Sequence, residues 1–225
     1  MSANFCFKFI AVSKYIRKLI EQGEHQQQDF KFEISDARKI ARSLAAFANT
    51  DGGRLLVGIK DNGAIAGVRS NEEYYMVEMA AQLYCNPPVD FTVTEHVVDG
   101  KNVLEIYVPA SVTGPHYARD KEDKWMIYVR VKDKNFLANR ILLKVWKRKK
   151  QPNGTILRYT ESEKNLLTYL SENNQITIRE FVQKASISKN AAENILVNFI
   201  SLGIAEIDFQ ENETYYKLSP NWQKV

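Results

Sequence analysis

Five basic residues crowd one short stretch, Lys144, Lys147, Arg148, Lys149 and Lys150, with Trp146 among them. The four consecutive cations have no acid beside them, so the chemistry on offer is phosphate binding, with an indole available for stacking. The same residues could instead keep an interdomain helix soluble. A second set, Lys189, Asn190 and Asn194, falls at the start of a predicted helix that also carries Glu193 and Asn198. Asparagine can engage adenine through two hydrogen bonds, so base contacts are chemically available there.

Other chemistries find little support. There is no GxxxxGK[ST] loop, and Gly52-Gly53 leads through Arg54 into a strand rather than a helix, which argues against nucleotide hydrolysis. Cys6, Cys85 and three scattered histidines have no zinc-like spacing, so no resident cofactor is expected. No apolar run reaches the ~18 residues of a spanning helix, so no membrane partner is expected. The first residues lack a small-residue cleavage site, and a reduced, cytoplasmic protein is the simplest expectation.

These residues need elements to place them. At 225 residues, 44% hydrophobic and 26% charged, the chain suits two globular domains. Residues 155–225 hold seven Lys or Arg against nine Asp or Glu, a net of −2, so the overall +4 leaves +6 on residues 1–154. The first half is the better holder of a polyanion.

In chain order, a helix over 13–22 precedes a strand within 24–34. Ser35 is the expected N-cap of a helix over 36–48. Asn49 to Gly53 turns the chain into a strand over 54–59, and Asn62-Gly63 predicts a type I′ hairpin turn to a strand ending at Val68. A helix over 71–84 follows, closed by Pro87-Pro88. Strands are predicted over 91–98 and 102–108, and a basic helix over 138–149 breaks at Pro152-Asn153-Gly154.

Beyond the break, Thr160-x-x-Glu163 and Thr177-x-x-Glu180 are capping boxes, Ser188 caps a third helix, and Gly203 ends it. A hairpin over 204–209 and 214–218 completes the pattern of a winged helix-turn-helix. The fold class is therefore α+β, a mixed-sheet domain over 1–150, a linker over 151–156 and a small winged-helix domain over 157–225.

The run AFANTDGG, the strand LLVGI, the Asp-x-Gly turn and Gly67-Val68 resemble the Alba-like domain of the Schlafen type, as do EHQQQDFK at 24–31, PASVTGPHY at 109–117 and WMIYVRV at 125–131. The similarity covers roughly the first 140 residues, with Asp29 where the family has a second Glu. It implies a bacterial nucleic-acid-binding protein, DNA being the first candidate partner. A transcriptional regulator acting as a homo-oligomer is the simplest form of that reading.

Eukaryotic Schlafen relatives include nucleases. By position, the resemblance carries their acidic site to Glu24, Asp29 and Asp61, with Lys31 beside them. These carboxylates would hold Mg2+ or Mn2+ if the protein were a nuclease. A third possibility is a protein-docking or dimerisation role for the acidic C-terminal domain. Relatives often carry an ATP-binding label, which the missing phosphate loop does not support.

Overall fold

The computed structural model describes residues 14–68, 72–151 and 159–222. The N-terminal segment, the Pro152-Asn153-Gly154 break and all but Gln151 of the expected linker lie outside them. Two compact units divide between Leu137 and Ala138. The first contains α1 (residues 14–21), β1 (Gln28–Lys31), α2 (Ala37–Ala48), β2 (Gly53–Val57), α3 (Glu72–Leu83), β3 (Cys85–Asn86), β4 (Thr92–Val98), β5 (Lys101–Val108), β6 (Tyr117–Arg119), β7 (Trp125–Val131) and β8 (Lys134–Leu137).

Two four-stranded sheets, ordered β1-β2-β5-β4 and β3-β6-β7-β8, both contact α2. β1 and β2 are parallel, with α2 as their crossover, and the remaining pairs are antiparallel. The apolar run of β2 follows from burial on both faces, since successive side chains alternate. Leu55 and Val57 join Leu44, Phe47 and Ile106 in one core, while Leu56 packs with Ile16, Leu19 and Phe30 in another. α2 is buried almost all round, which explains its alanines: bulkier side chains would push the sheets apart.

Local chemistry corrects two expectations. The N-cap of α2 is Asp36, not Ser35; Asp36 Oδ1 accepts from Arg38 N at 2.9 Å and Lys39 N at 3.3 Å. The residue directly before the first helical turn takes this role, and a carboxylate also suits the positive end of the helix. After β2, the turn centres on Asp61-Asn62, with Gly63 N donating to Lys60 O at 2.8 Å and Gly63 at φ +80°. Such a turn, followed by a left-handed glycine, replaces the two-residue type I′ turn. Its return arm is a single bridge, Ile59 to Ile65, not a strand.

The paired glycines at the end of α2 are required by space. A Cβ on Gly52 would lie 2.8 Å from Val108 O, and one on Gly53 would lie 2.4 Å from the Phe47 ring. Gly52 also has φ +67°, a region that side chains disfavour.

The second unit contains α4 (Arg140–Lys149), α5 (Glu161–Glu172), β9 (Ile176–Thr177), α6 (Ile178–Ala185), α7 (Lys189–Ser201), β10 (Ala205–Phe209) and β11 (Thr214–Leu218), with strands in the order β10-β11-β9. At the predicted box of α6, Thr177 N donates to Glu180 Oε2 at 2.8 Å and Glu180 N to Thr177 Oγ1 at 3.2 Å. Ser188 Oγ caps α7 by accepting from Ala191 N at 3.2 Å, and Gly203 ends the helix at φ +72°.

The basic helix α4, expected within a first domain reaching residue 150, packs in this unit. Its Ile141 and Val145 share a core with Leu166, Phe181, Val197 and Phe199. The amphipathic spacing of those two residues decides its place, because an exposed Ile-Val stripe would leave apolar surface in water.

Candidate nucleic-acid interface

On the second unit, Lys189, Asn190 and Asn194 are exposed on the N-terminal half of α7. Ser188 fixes where that helix begins and therefore which way these three side chains point. Glu193, one position from Asn194, is 3% exposed and accepts from Lys144 Nζ at 2.7 Å, with Arg140 Nε 3.4 Å away. Lys144 also reaches Asn190 Oδ1 at 3.4 Å, and Arg148 NH1 donates to Asn198 Oδ1 at 2.6 Å.

Two of the five predicted phosphate-binding cations, Lys144 and Arg148, are thus committed to α7. Lys147, Lys149 and Lys150 stand exposed on the last turn of α4 and just beyond it. A charge buried as deeply as Glu193 needs a partner, which explains why α4 lies across α7.

On the first unit, three of the four residues expected to be catalytic come together. Glu24 Oε1 accepts from Phe30 N at 2.8 Å. Asp29, 4% exposed on β1, has Oδ2 2.8 Å from Lys31 Nζ and Oδ1 3.2 Å from Arg130 NH2. Burial, then the hydrogen bond to Asp29, raises the pKa of Glu24 above its ordinary value of 4.5. Burial pushes Asp29 the same way, but Lys31, the bond from Glu24 and Arg130 outweigh it and hold Asp29 below its ordinary 3.8. The pair therefore shares its burden unequally, with Glu24 as the proton holder and Asp29 as the anion.

Asp61, the fourth, is exposed on the turn after β2, and among the described residues no three His, Cys, Asp or Glu form a group able to hold a metal. Both oxygens of Asp29 are already held by cations. What the arrangement does chemically is fix β1 against β7 through a buried ion pair.

The sign of its pH dependence follows. Glu24, with a raised folded pKa, contributes stability below that value and loses it as pH rises through it. Asp29, with a depressed folded pKa, contributes stability above 3.8 that is lost as pH falls through its folded value. Glu24→Gln, which imitates the protonated acid, is expected to leave stability at neutral pH unchanged or higher. It should also flatten the decline in stability expected in urea unfolding as pH rises from 4.5 through the raised folded pKa of Glu24.

Two positions that hold this region together escaped the sequence reading. Arg130 is 2% exposed, donates to Gln28 O at 3.1 Å as well as to Asp29, and lies 5.2 Å from the Phe47 ring centroid. Asn49 donates to His116 O at 2.8 Å and Tyr128 O at 2.9 Å and accepts from His116 N at 2.7 Å. The AFANTDGG and YVRV motifs contained both residues, but a motif does not show that its Arg points inward. Cys85 is buried, its thiol pushed up to about 12, and offers no nucleophile.

The model of the family described as Schlafen, AlbA_2 matches residues 24–139, more than half of the chain. The chain belongs to the Schlafen, AlbA_2 family. The matched AlbA_2 region ends two residues beyond the first compact unit, so α4 and everything after it stand outside the match.

No curated protein matches the chain. Among solved structures, it is similar to the DIP2311 protein from Corynebacterium diphtheriae, at 24% identity and a TM-score of 0.46. That alignment covers 71% of this chain but only 37% of that protein. It is also similar to the N-terminal domain of a DNA helicase RecG-related protein from Nitrosomonas europaea, at 24% identity and a TM-score of 0.38, over 49% of this chain and 81% of that domain. Among the described residues no helix is long and apolar enough to cross a membrane.

Proposed function

We propose that this AlbA_2 protein binds nucleic acid, and that it acts on duplex DNA as a bacterial transcriptional regulator. One observation carries the reading: Lys189, Asn190 and Asn194 stand exposed together at the capped start of α7. The order α5-β9-α6-α7-β10-β11, with its three-stranded antiparallel sheet, supports the reading of a winged helix-turn-helix, in which this helix would enter the major groove. Lys147 and Lys149 add phosphate contacts from α4. Tyr75, Met79 and Leu83, exposed at four-residue intervals on α3, supply an apolar stripe for the self-association that paired half-sites require.

Fluorescence polarisation with duplex DNA across a salt series tests this. Asn194→Ala is expected to relax sequence preference at a cost of about 1–3 kcal/mol on the preferred site. Neutralising Lys147 and Lys149 should weaken all duplexes alike. No binding at low salt removes the proposal.

The net charge of −2 over residues 155–225 favours a second reading, in which α7 docks a protein. Pull-down of a partner that Asn194→Ala releases, without DNA binding, would select it. The nuclease alternative predicts Mg2+- or Mn2+-dependent cleavage of RNA or single-stranded DNA that Glu24→Ala abolishes. Uncut substrate is the expected result.

A further inference from the structure

Arg38 and Arg42 lie one turn apart on α2, and Arg119 lies on β6. All three guanidinium groups sit over aromatic rings, Arg38 at 5.4 Å from Tyr84, Arg42 at 5.7 Å from Tyr128 and Arg119 at 4.7 Å from Trp125. Arg119 and Trp125 face each other across the β6–β7 ladder, and Arg119 N donates to Tyr84 O at 3.0 Å, which ties two of the rings into one surface. Arg38 and Arg119 then converge on a single anion. Asp123 Oδ1 is 3.2 Å from Arg38 and its Oδ2 is 3.2 Å from Arg119.

The backbone of Asp123 belongs to its turn, its N–H donating to Asp120 O at 3.3 Å, while the side chain that braces the turn is that of Asp120. Asp120 Oδ1 accepts from Glu122 N at 2.8 Å and Lys124 N at 2.9 Å, and Asp120 N donates to Lys124 O at 2.9 Å. Asp123 itself sits at φ +64°, where a residue other than glycine is uncommon. Its side chain is 56% exposed, and the arginines it bridges are 37% and 36% exposed. An exposed carboxylate gains little from such pairs, so a firmer anion can displace it.

We propose that Arg38 and Arg119 form a phosphate clamp for single-stranded nucleic acid, which Asp123 occupies as a stand-in anion until a phosphodiester displaces it. The flat guanidinium groups and Trp125, 38% exposed, give unpaired bases planes to stack on. A duplex hides its base faces and cannot use them. The clamp lies on the first unit and does not rest on the α7 reading.

The test is polarisation of a labelled oligo-dT and oligo-U of about 15 nucleotides, within the site sizes of single-strand binders, against a duplex of equal length, using the full chain. Asp123→Asn keeps a residue that tolerates the left-handed region while removing the charge, and should tighten single-strand binding about threefold. Arg119→Ala and Trp125→Ala should each weaken it about tenfold. Arg119→Lys, which keeps the charge and loses the planar fork, should fall between, with melting temperatures confirming folded variants. Single-strand affinity unchanged or weaker in Asp123→Asn, or unaffected by Arg119→Ala, overturns the clamp. Lys189→Ala should alter duplex binding alone, so each reading can fail without the other.

Discussion

Replacing Arg130 with methionine is expected to destabilise the first unit by about 3–5 kcal/mol, the cost of leaving a buried carboxylate without its buried partner. The substitution conserves most of the side-chain volume, so loss of packing contributes little. What is lost is the guanidinium that holds Asp29 and the backbone carbonyl of Gln28 at once. Lys31→Met offers the contrast. Its ammonium also binds Asp29, but the side chain is 35% exposed, so water replaces much of the interaction and the loss should stay within about 1 kcal/mol. Chemical denaturation separates the two. Adding Asp29→Asn to Arg130→Met should recover part of the loss, because the buried charge that kept only Lys31 as a cation is gone. Equal effects of Arg130→Met and Lys31→Met would show that the pair is not buried in solution.

Asn49→Ala is expected to cost about 3 kcal/mol, from one amide N–H and two carbonyl groups left with reduced pairing in a partly buried joint. The side chain fastens the end of α2 to the strand β7 and to His116 by three hydrogen bonds. Asn49→Asp is the sharper experiment because it is nearly isosteric. A carboxylate there can still accept from His116 N, but it faces the two carbonyl oxygens with no proton to offer. It should therefore be at least as damaging as alanine, and less so in acid, where protonation restores one donor. Midpoints from guanidinium unfolding at two pH values would check both, and an Asn49→Asp variant as stable as the parent would refute the assigned role.

Much of the fold was legible where the deciding interaction is local. Thr177 and Glu180 are three residues apart and satisfy each other, so the start of α6 needs nothing from elsewhere. The run WMIYVRV, matched through the family resemblance, covers β7 over its full length. Legibility failed where distant residues decide. The two-residue strand β3 exists only because Cys85 and Asn86 find Ala118 and Tyr117, far along the chain. The inward direction of Arg130 depends on Asp29, 101 residues away.

The site was legible to the same degree. The exposure of Lys189, Asn190 and Asn194 follows from the helical period and a correctly placed cap. The commitment of Lys144 and Arg148 to α7 does not, because charge runs carry no record of what they face. The rings beneath Arg38 and Arg42 left no mark in the sequence for the same reason.

The position of α4 has a practical consequence for anyone dividing the chain. A fragment beginning at residue 157, where the composition suggests a cut, would lack Ile141 and Val145 from its interior and leave Glu193 without its cations. The seam that preserves both halves lies between β8 and α4, and a C-terminal piece meant to fold by itself has to start no later than Ala138.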